Sequence, residues 1–257
     1  MTSVQALDER DLRRIIRTNR LALRLARHWL ILVLGFLLLY TGLSLTPPLF
    51  MKAGWEGAAN IVHKVYAPMC HQFAFRSWFL FGEQLVYPRQ VAGSSLGSFE
   101  SYASQDPHFA GVDLAVWSAD LQLKSRSFHG NEQMGYKTAL CERDVAIYGM
   151  MVLAGLLFTR ARRWLRPAPV MLYVLLGLGP LGLDGFSQMF SYTPFEFWPI
   201  RESLPHYRAI TGALFGLMNI WLAFPYLEAS MNEARAAVGN KLRRAEQHLA
   251  ALQAAQR

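Results

Sequence analysis

Four stretches of the chain run through apolar residues without a charge. They are Trp29 to Leu45, Val145 to Thr159, Pro167 to Leu183 and Ala209 to Leu227. A bilayer core takes about 20 mainly apolar residues in helical form, with a range of about 17 to 25. The pattern therefore predicts an all-α integral membrane protein with about four transmembrane helices. The second stretch is short and can cross only if Asp144 and Arg160, which flank it, lie at the two interfaces. Between the first two spans, Trp55, Ala58, Ala59, Val62, Val65 and Tyr66 recur at helical spacing and predict an interfacial helix. From Tyr87 to Lys137 the chain turns to Gly, Ser, Asp and Gln with scattered aromatics. That composition predicts an extracytoplasmic insertion of loops or short strands. There is no internal repeat.

Charge sets the expected orientation. Sixteen of the 26 Lys and Arg residues, against only six acids, lie before the first span, in the Arg160–Arg166 connection and after the fourth span. The positive-inside rule then places both termini and that connection in the cytoplasm, and an even number of spans agrees. Arg10, Arg13, Arg14, Arg17, Arg20, Arg24 and Arg27 alternate with apolar residues, which suits a basic helix running into the first span, either along the inner leaflet or as a plain anchor. The leader is too long for a signal peptide, and no small-x-small site follows the apolar run, so a retained anchor is expected. The expected organisation is a basic leader (1–28), a first transmembrane helix (29–46), an extracytoplasmic segment (48–140), a three-helix core (141–227) and a cytoplasmic C-terminal helix (228–257). The last is rich in Ala, Leu, Glu, Arg and Gln and suits pairing with a helix of a membrane-protein partner. The lipid bilayer is the principal expected partner. The hydrophobic anchor beside the arginines argues against nucleic acid.

Composition narrows the class. Hydrophobic residues make up 53% of the 257 and charged residues 17%, against about a quarter charged in a soluble domain. Two cysteines exclude a disulfide-dense secreted scaffold. No nucleotide loop, nucleophile elbow or His-Glu-x-x-His pattern occurs. His63, His108, His129 and His206 are scattered over the outer half, His28 sits at the inner edge of the first span, and Tyr192 to Pro199 suits an aromatic lid.

Measured along the helices at 1.5 Å per residue, Asp144 lies about 24 Å from Arg160, Asp184 about 27 Å from Arg166, and Arg208 about 30 Å from Glu228. All three reach the same outer level. Cys141 shares a helix face with Asp144, Asp184 with Gln188, and Arg208 with Thr211. A polar layer is expected there, and ionisable groups at such depth are functional candidates.

The runs Cys70-His71-Gln72 with Arg76-Ser77, Cys141-Glu142-Arg143-Asp144 with Tyr148, Asp184-Gly185 with Gln188, and Arg208 with Thr211-Gly212 occur in that order. Together they resemble the prokaryotic multi-pass membrane proteins of the domain-of-unknown-function 2085 family. The likeness runs from about Tyr66 to Leu217, interrupted by the long Tyr87–Lys137 insertion. It implies a helical bundle with a Cys-His motif in a prokaryotic cytoplasmic (inner) membrane, and no established activity.

Two functional readings stay open. Thiolate, imidazole and carboxylate are zinc ligands, and Cys70, His71, Cys141 and Asp144 offer four donors. With only three engaged, the open position would allow hydrolysis or transfer on a lipid or peptide group, with Asp184 as base and Arg208 as anion anchor. Alternatively the protein is a non-catalytic scaffold or complex subunit, stabilised by a Cys70–Cys141 disulfide and an Asp184–Arg208 ion pair. A reactive form of that disulfide would exchange with partner thiols or a membrane quinone. Gln72, Arg76, Arg143, Tyr148, Gln188 and Thr211 complete the expected polar cluster.

Overall fold

The computed structural model describes residues 8–255, so 1–7 of the predicted leader and 256–257 of the predicted tail lie outside the described residues. Four helices are long and apolar enough to cross a membrane, and only between 11% and 33% of each one's most apolar window is buried within the chain. The rest faces outward as a lipid-compatible surface, with Ile31, Leu39, Leu157, Met171 and Leu183 all exposed.

Helix α1 (Glu9–Ser44) carries leader and first span as one rod. Asp8 caps it, and Glu9 and Asp11 complement its N-terminal dipole. The long final helix α8 (Pro205–Ala255) runs back alongside it. Leu12, Ile16 and Ala26 of the leader are buried, as is Ala245 of α8. Arg20 pairs with Glu246 at 2.7 Å, and Arg235 Nε donates to the Ala26 carbonyl at 2.9 Å. Part of the leader's apolar side thus packs on the tail of the same chain, while Ile15, Leu21 and Leu25 stay exposed. An intramolecular partner satisfies the C-terminal helix because both stripes have the same helical period.

Beyond α1, Pro47 starts the short α2 (Pro47–Lys52), and α3 (Glu56–Tyr66) follows as the predicted interfacial helix. Tyr66 donates to the Tyr40 carbonyl at 2.5 Å, and Tyr40 meets the rings of both Tyr66 and Tyr148, which fastens α3 to the bundle. The insertion is more ordered than its composition predicts. Strands β1 (Ser77–Leu80), β2 (Gly130–Asn131) and β3 (Gly135–Cys141) form an antiparallel sheet in the order β1-β3-β2, with α4 (Phe99–Ala103) and α5 (Ala119–Ser127) between β1 and β2. Aromatic burial accounts for this order, because Phe75, Phe79, Tyr87, Phe99, Phe109 and Phe128 share one core with Leu121 and Met134.

The second span, α6 (Glu142–Ala161), leaves β3 without a break. The third span, α7 (Val170–Met189), contains a π-helical stretch at Tyr173–Leu178 and runs six residues past its predicted end, so Asp184 and Gln188 sit on the helix itself. Helices α6 and α8 pack along their length through glycines. A side chain at Gly212 would meet the Arg143 carbonyl oxygen at 2.6 Å, and one at Gly216 the Ile147 carbonyl oxygen at 2.3 Å. Trp29, Leu30, Ala154, Phe158, Ile220 and Phe224 fill the opposite half of the bundle, where Trp29 Nε1 donates to Glu228 at 3.0 Å.

Candidate functional site

The end of the bundle remote from both termini holds a layer of charge. Arg208, in the first turn of α8 and 3% exposed, donates to Glu202 and, at 3.4 Å, to Glu142, the first residue of α6. It also donates to Gln188 Oε1 at 3.3 Å. Glu202 in turn accepts from Arg76 at 2.7 Å and from the Tyr192 hydroxyl. Burial pushes the Glu202 carboxyl up, but the charges of Arg76 and Arg208 outweigh it and hold its pKa below the ordinary carboxylate value. A second knot surrounds Asp184, which accepts from Arg143, Arg201 at 3.2 Å, Gln188 at 3.1 Å and Ser203.

The Asp184–Arg208 ion pair expected from the sequence does not form. The two residues reach the same level, as the helical rise predicts, but Gln188 stands between them, bonded to both. Each has nearer partners on other elements, Arg143 and Arg201 for Asp184 and Glu142 and Glu202 for Arg208. Four donors on Asp184 leave its carboxylate little capacity to act as a base, so its evident work is to hold Arg143.

Beside this layer lies the thiol cluster. Cys70 Sγ, Cys141 Sγ and an Asp144 carboxylate oxygen all lie within 4.8 Å of one another. Both cysteines are free, so the predicted disulfide is not formed, and the Cys141 backbone N–H donates to Cys70 Sγ at 3.3 Å. Cys141 ends β3 opposite Ser77 of β1, and Asp144 follows three residues on in α6, so the sheet-to-helix junction delivers two donors to one point. His71 does not join this cluster. It is exposed at the rim, beside the Phe73 ring at 5.4 Å. The chain reverses at Gln72, whose φ of 56° turns the neighbouring side chains apart.

That turn is pinned from behind. Lys137 Nζ, fully buried on β3, donates to the carbonyls of Gln72 at 2.7 Å, Ser125 at 3.1 Å and Arg126 at 2.7 Å. Three acceptors match the three hydrogens of an ammonium. Gln72 Nε2 donates to the His63 carbonyl at 2.9 Å and so ties the turn to α3. The His63 ring stacks on His129 at 4.1 Å, and neither of its nitrogens finds a partner in the described chain. Burial, helped by Lys137 and the neighbouring histidines, pushes His63 down to about 2 and His129 to about 4. An unfolded chain would bind both protons from about pH 6.5 downward, whereas the folded chain resists. Stability is therefore complete above that pH and falls as acid is added, by about 1.4 kcal/mol per pH unit for each histidine until its folded value is reached. Thermal unfolding followed from pH 7.5 to 4.5 should show a falling midpoint, with a shallower slope in His63→Phe. A flat profile would contradict the buried pair.

A cavity of about 300 Å³ opens between the two groups, lined by Cys70, His71, Gln72, Cys141 and Asp144 on one side and by Arg76, Arg143, Gln188 and Arg208 on the other. Of the remaining expected members, Tyr148 packs in the apolar cluster that holds Cys70. Thr211 only returns its hydroxyl to the Tyr207 carbonyl of its own helix at 2.8 Å. Tyr192, expected in an exposed aromatic lid, turns inward and stacks on Trp117 at 4.0 Å, while Phe195, Phe197 and Trp198 stay exposed. Sequence reading missed Glu142, Arg201, Glu202, Ser203 and Lys137. A signal for Glu142 was present, its place in the Cys141-Glu142-Arg143-Asp144 run just before the second span, and Arg201 and Glu202 precede the fourth span by only a few residues.

Four lipid-facing apolar helices with a buried charge layer at one end define a multi-pass helical membrane protein. Residues 121–222 match the family described as "Predicted membrane protein (DUF2085)". The match takes in Cys141, Asp144, Asp184 and Arg208, whereas Cys70-His71-Gln72 and Arg76 precede it. No curated protein and no solved structure matches the chain.

Proposed function

We propose that the protein is a metal-dependent membrane enzyme, with zinc held by Cys70, Cys141 and Asp144, acting on a lipid or peptide group at the outer face of a prokaryotic cytoplasmic membrane. The observation that carries this reading is the convergence of two thiols and a carboxylate within 4.8 Å in the wall of an arginine-lined cavity. The donor set fits zinc, since about 2.3 Å Zn–S bonds at tetrahedral angles imply sulfurs about 3.8 Å apart, a separation small rotamer changes can supply. Three protein donors leave a fourth position open, as in catalytic rather than structural sites. Such an ion supplies Lewis acidity toward a carbonyl or phosphoryl oxygen. The chain's own residues do the rest. Asp184 orients Arg143 into the cavity, Glu202 and Glu142 fix Arg208, and His71 at the rim is free to pass a proton between substrate and solvent. The end that carries both termini and the Arg160–Arg166 connection faces the cytoplasm in this reading, on the strength of the charge asymmetry. Any further membrane-protein partner would meet the outer surfaces of the α1–α8 pair.

The deciding experiment is metal analysis of detergent-purified protein. One zinc per chain is expected, lost in Cys141→Ser and in Cys70→Ser and retained in His71→Ala. Metal-free protein from zinc-supplemented cells would end this reading. It would favour the second one, a non-catalytic scaffold or complex subunit whose two cysteines serve stability, a reading supported by the 3.3 Å contact between the Cys141 N–H and Cys70 Sγ that holds them side by side.

A further inference from the structure

We infer that the cavity beside the thiol cluster binds a phosphate-type oxyanion, held by Arg76, Arg143 and Arg208. This names the substrate class of the site proposed above and rests on that reading for its catalytic meaning, although binding itself needs no metal. All three guanidinium groups line one cavity of about 300 Å³. Their carboxylate partners engage terminal nitrogens, Arg76 and Arg208 on Glu202 and Arg143 on Asp184. The Nε groups of Arg76 and Arg143 remain buried with no acceptor in the described chain. Buried donors are rarely left without acceptors, so both side chains keep hydrogen-bonding capacity that their carboxylate partners do not use. The pairs joining these residues comprise four guanidinium groups, with Arg201, against three carboxylates. Asp144, the next carboxylate, stands on the thiol side of the cavity.

The arrangement suits a tetrahedral anion better than a carboxylate. Guanidinium forks match phosphate oxygens in paired hydrogen bonds, and groups converging from three chain segments require more than two acceptor oxygens. A phosphate monoester or diester would place its phosphorus between the arginines and the thiol cluster. Phospholipid headgroups and soluble phosphorylated molecules share this chemistry.

Protection of the thiols provides the test. Chelator-treated protein in uncharged detergent is alkylated with iodoacetamide, an uncharged reagent, at constant ionic strength. Inorganic phosphate should slow labelling of Cys141 at least fivefold and saturably, where chloride does not. In Arg143→Gln, half-protection should need at least tenfold more phosphate, while Asp184 keeps Arg201, Gln188 and Ser203 and so the fold. A parallel arm uses protein in phosphatidylcholine vesicles with and without phosphatidylglycerol. Protection by inorganic phosphate assigns a soluble ligand, and protection only by the anionic vesicles assigns a headgroup. Labelling indifferent to both overturns the inference, as does protection that survives unchanged in both Arg143→Gln and Arg76→Gln. Zinc content is measured on separate, untreated protein, so loss of the metal reading and loss of the anion site register independently.

Discussion

Arg208→Ala should be the most damaging single substitution in the charge layer, lowering stability by about 3–5 kcal/mol. Arg208 and its partners Glu142 and Glu202 have side chains exposed by no more than 4%. Removing the guanidinium leaves two carboxylates in a low-dielectric site, where uncompensated burial dominates over the modest net worth of an intact pair. Arg76 would still neutralise one oxygen of Glu202, but Glu142 would lose its only ion-pair partner among the described residues, with Oε1 already unpartnered. Thermal unfolding in detergent, with Thr211→Ala as control, measures the effect. Thr211 bonds only to its own helix backbone, so its substitution should cost under about 1 kcal/mol. Equal midpoints for the two variants would mean that the layer does not hold the bundle together.

Gly216→Val should destabilise by about 3 kcal/mol, at the upper end of overpacking penalties. The obstacle at 2.3 Å is the Ile147 carbonyl, a backbone group that no rotamer change can remove. The two helices would have to separate, and because α6 carries Arg143 and Asp144 while α8 carries Arg208, the separation would also pull the cavity apart. Gly149→Val, on α6 where an added side chain meets nothing within 4 Å, serves as the control. The expected pattern is a large fall in unfolding midpoint in Gly216→Val, with little change in Gly149→Val. A Gly216→Val protein as stable as the control would show that α6 and α8 do not depend on this close approach.

The two substitutions bear on different levels of information. Where the helices run was legible in the chain, since an uncharged apolar run about the length of a bilayer crossing has few other stable outcomes. So was the common level of Asp144, Asp184 and Arg208, because helical rise is fixed and the basic ends set the register. The joint arrival of Cys141 and Asp144 was also local. It comes from a strand-to-helix junction, with Cys141 ending β3 and Asp144 in the first turn of α6, and not from the shared helix face expected.

Rise along a helix does not determine rotation about it, nor which helices are neighbours. The sequence therefore brought Asp184 and Arg208 to one height and suggested a pair. Packing of α6 against α8 through Gly212 and Gly216 instead gave Asp184 Arg143 and gave Arg208 Glu142 as partners, with Gln188 between the two. The segment between α7 and α8 supplied Arg201, Glu202 and Ser203, whose roles depend on a chain path no periodicity records. The place of Cys70 beside Cys141 depends on pairing of strands separated by more than 50 residues and on Lys137 gathering three distant carbonyls. Local sequence determined the spans, their common polar level and the residue types available for chemistry. Tertiary packing alone decided the pairing of charges and the exclusion of His71 from the thiol cluster, because those depend on side-chain direction and contacts between segments remote in the chain.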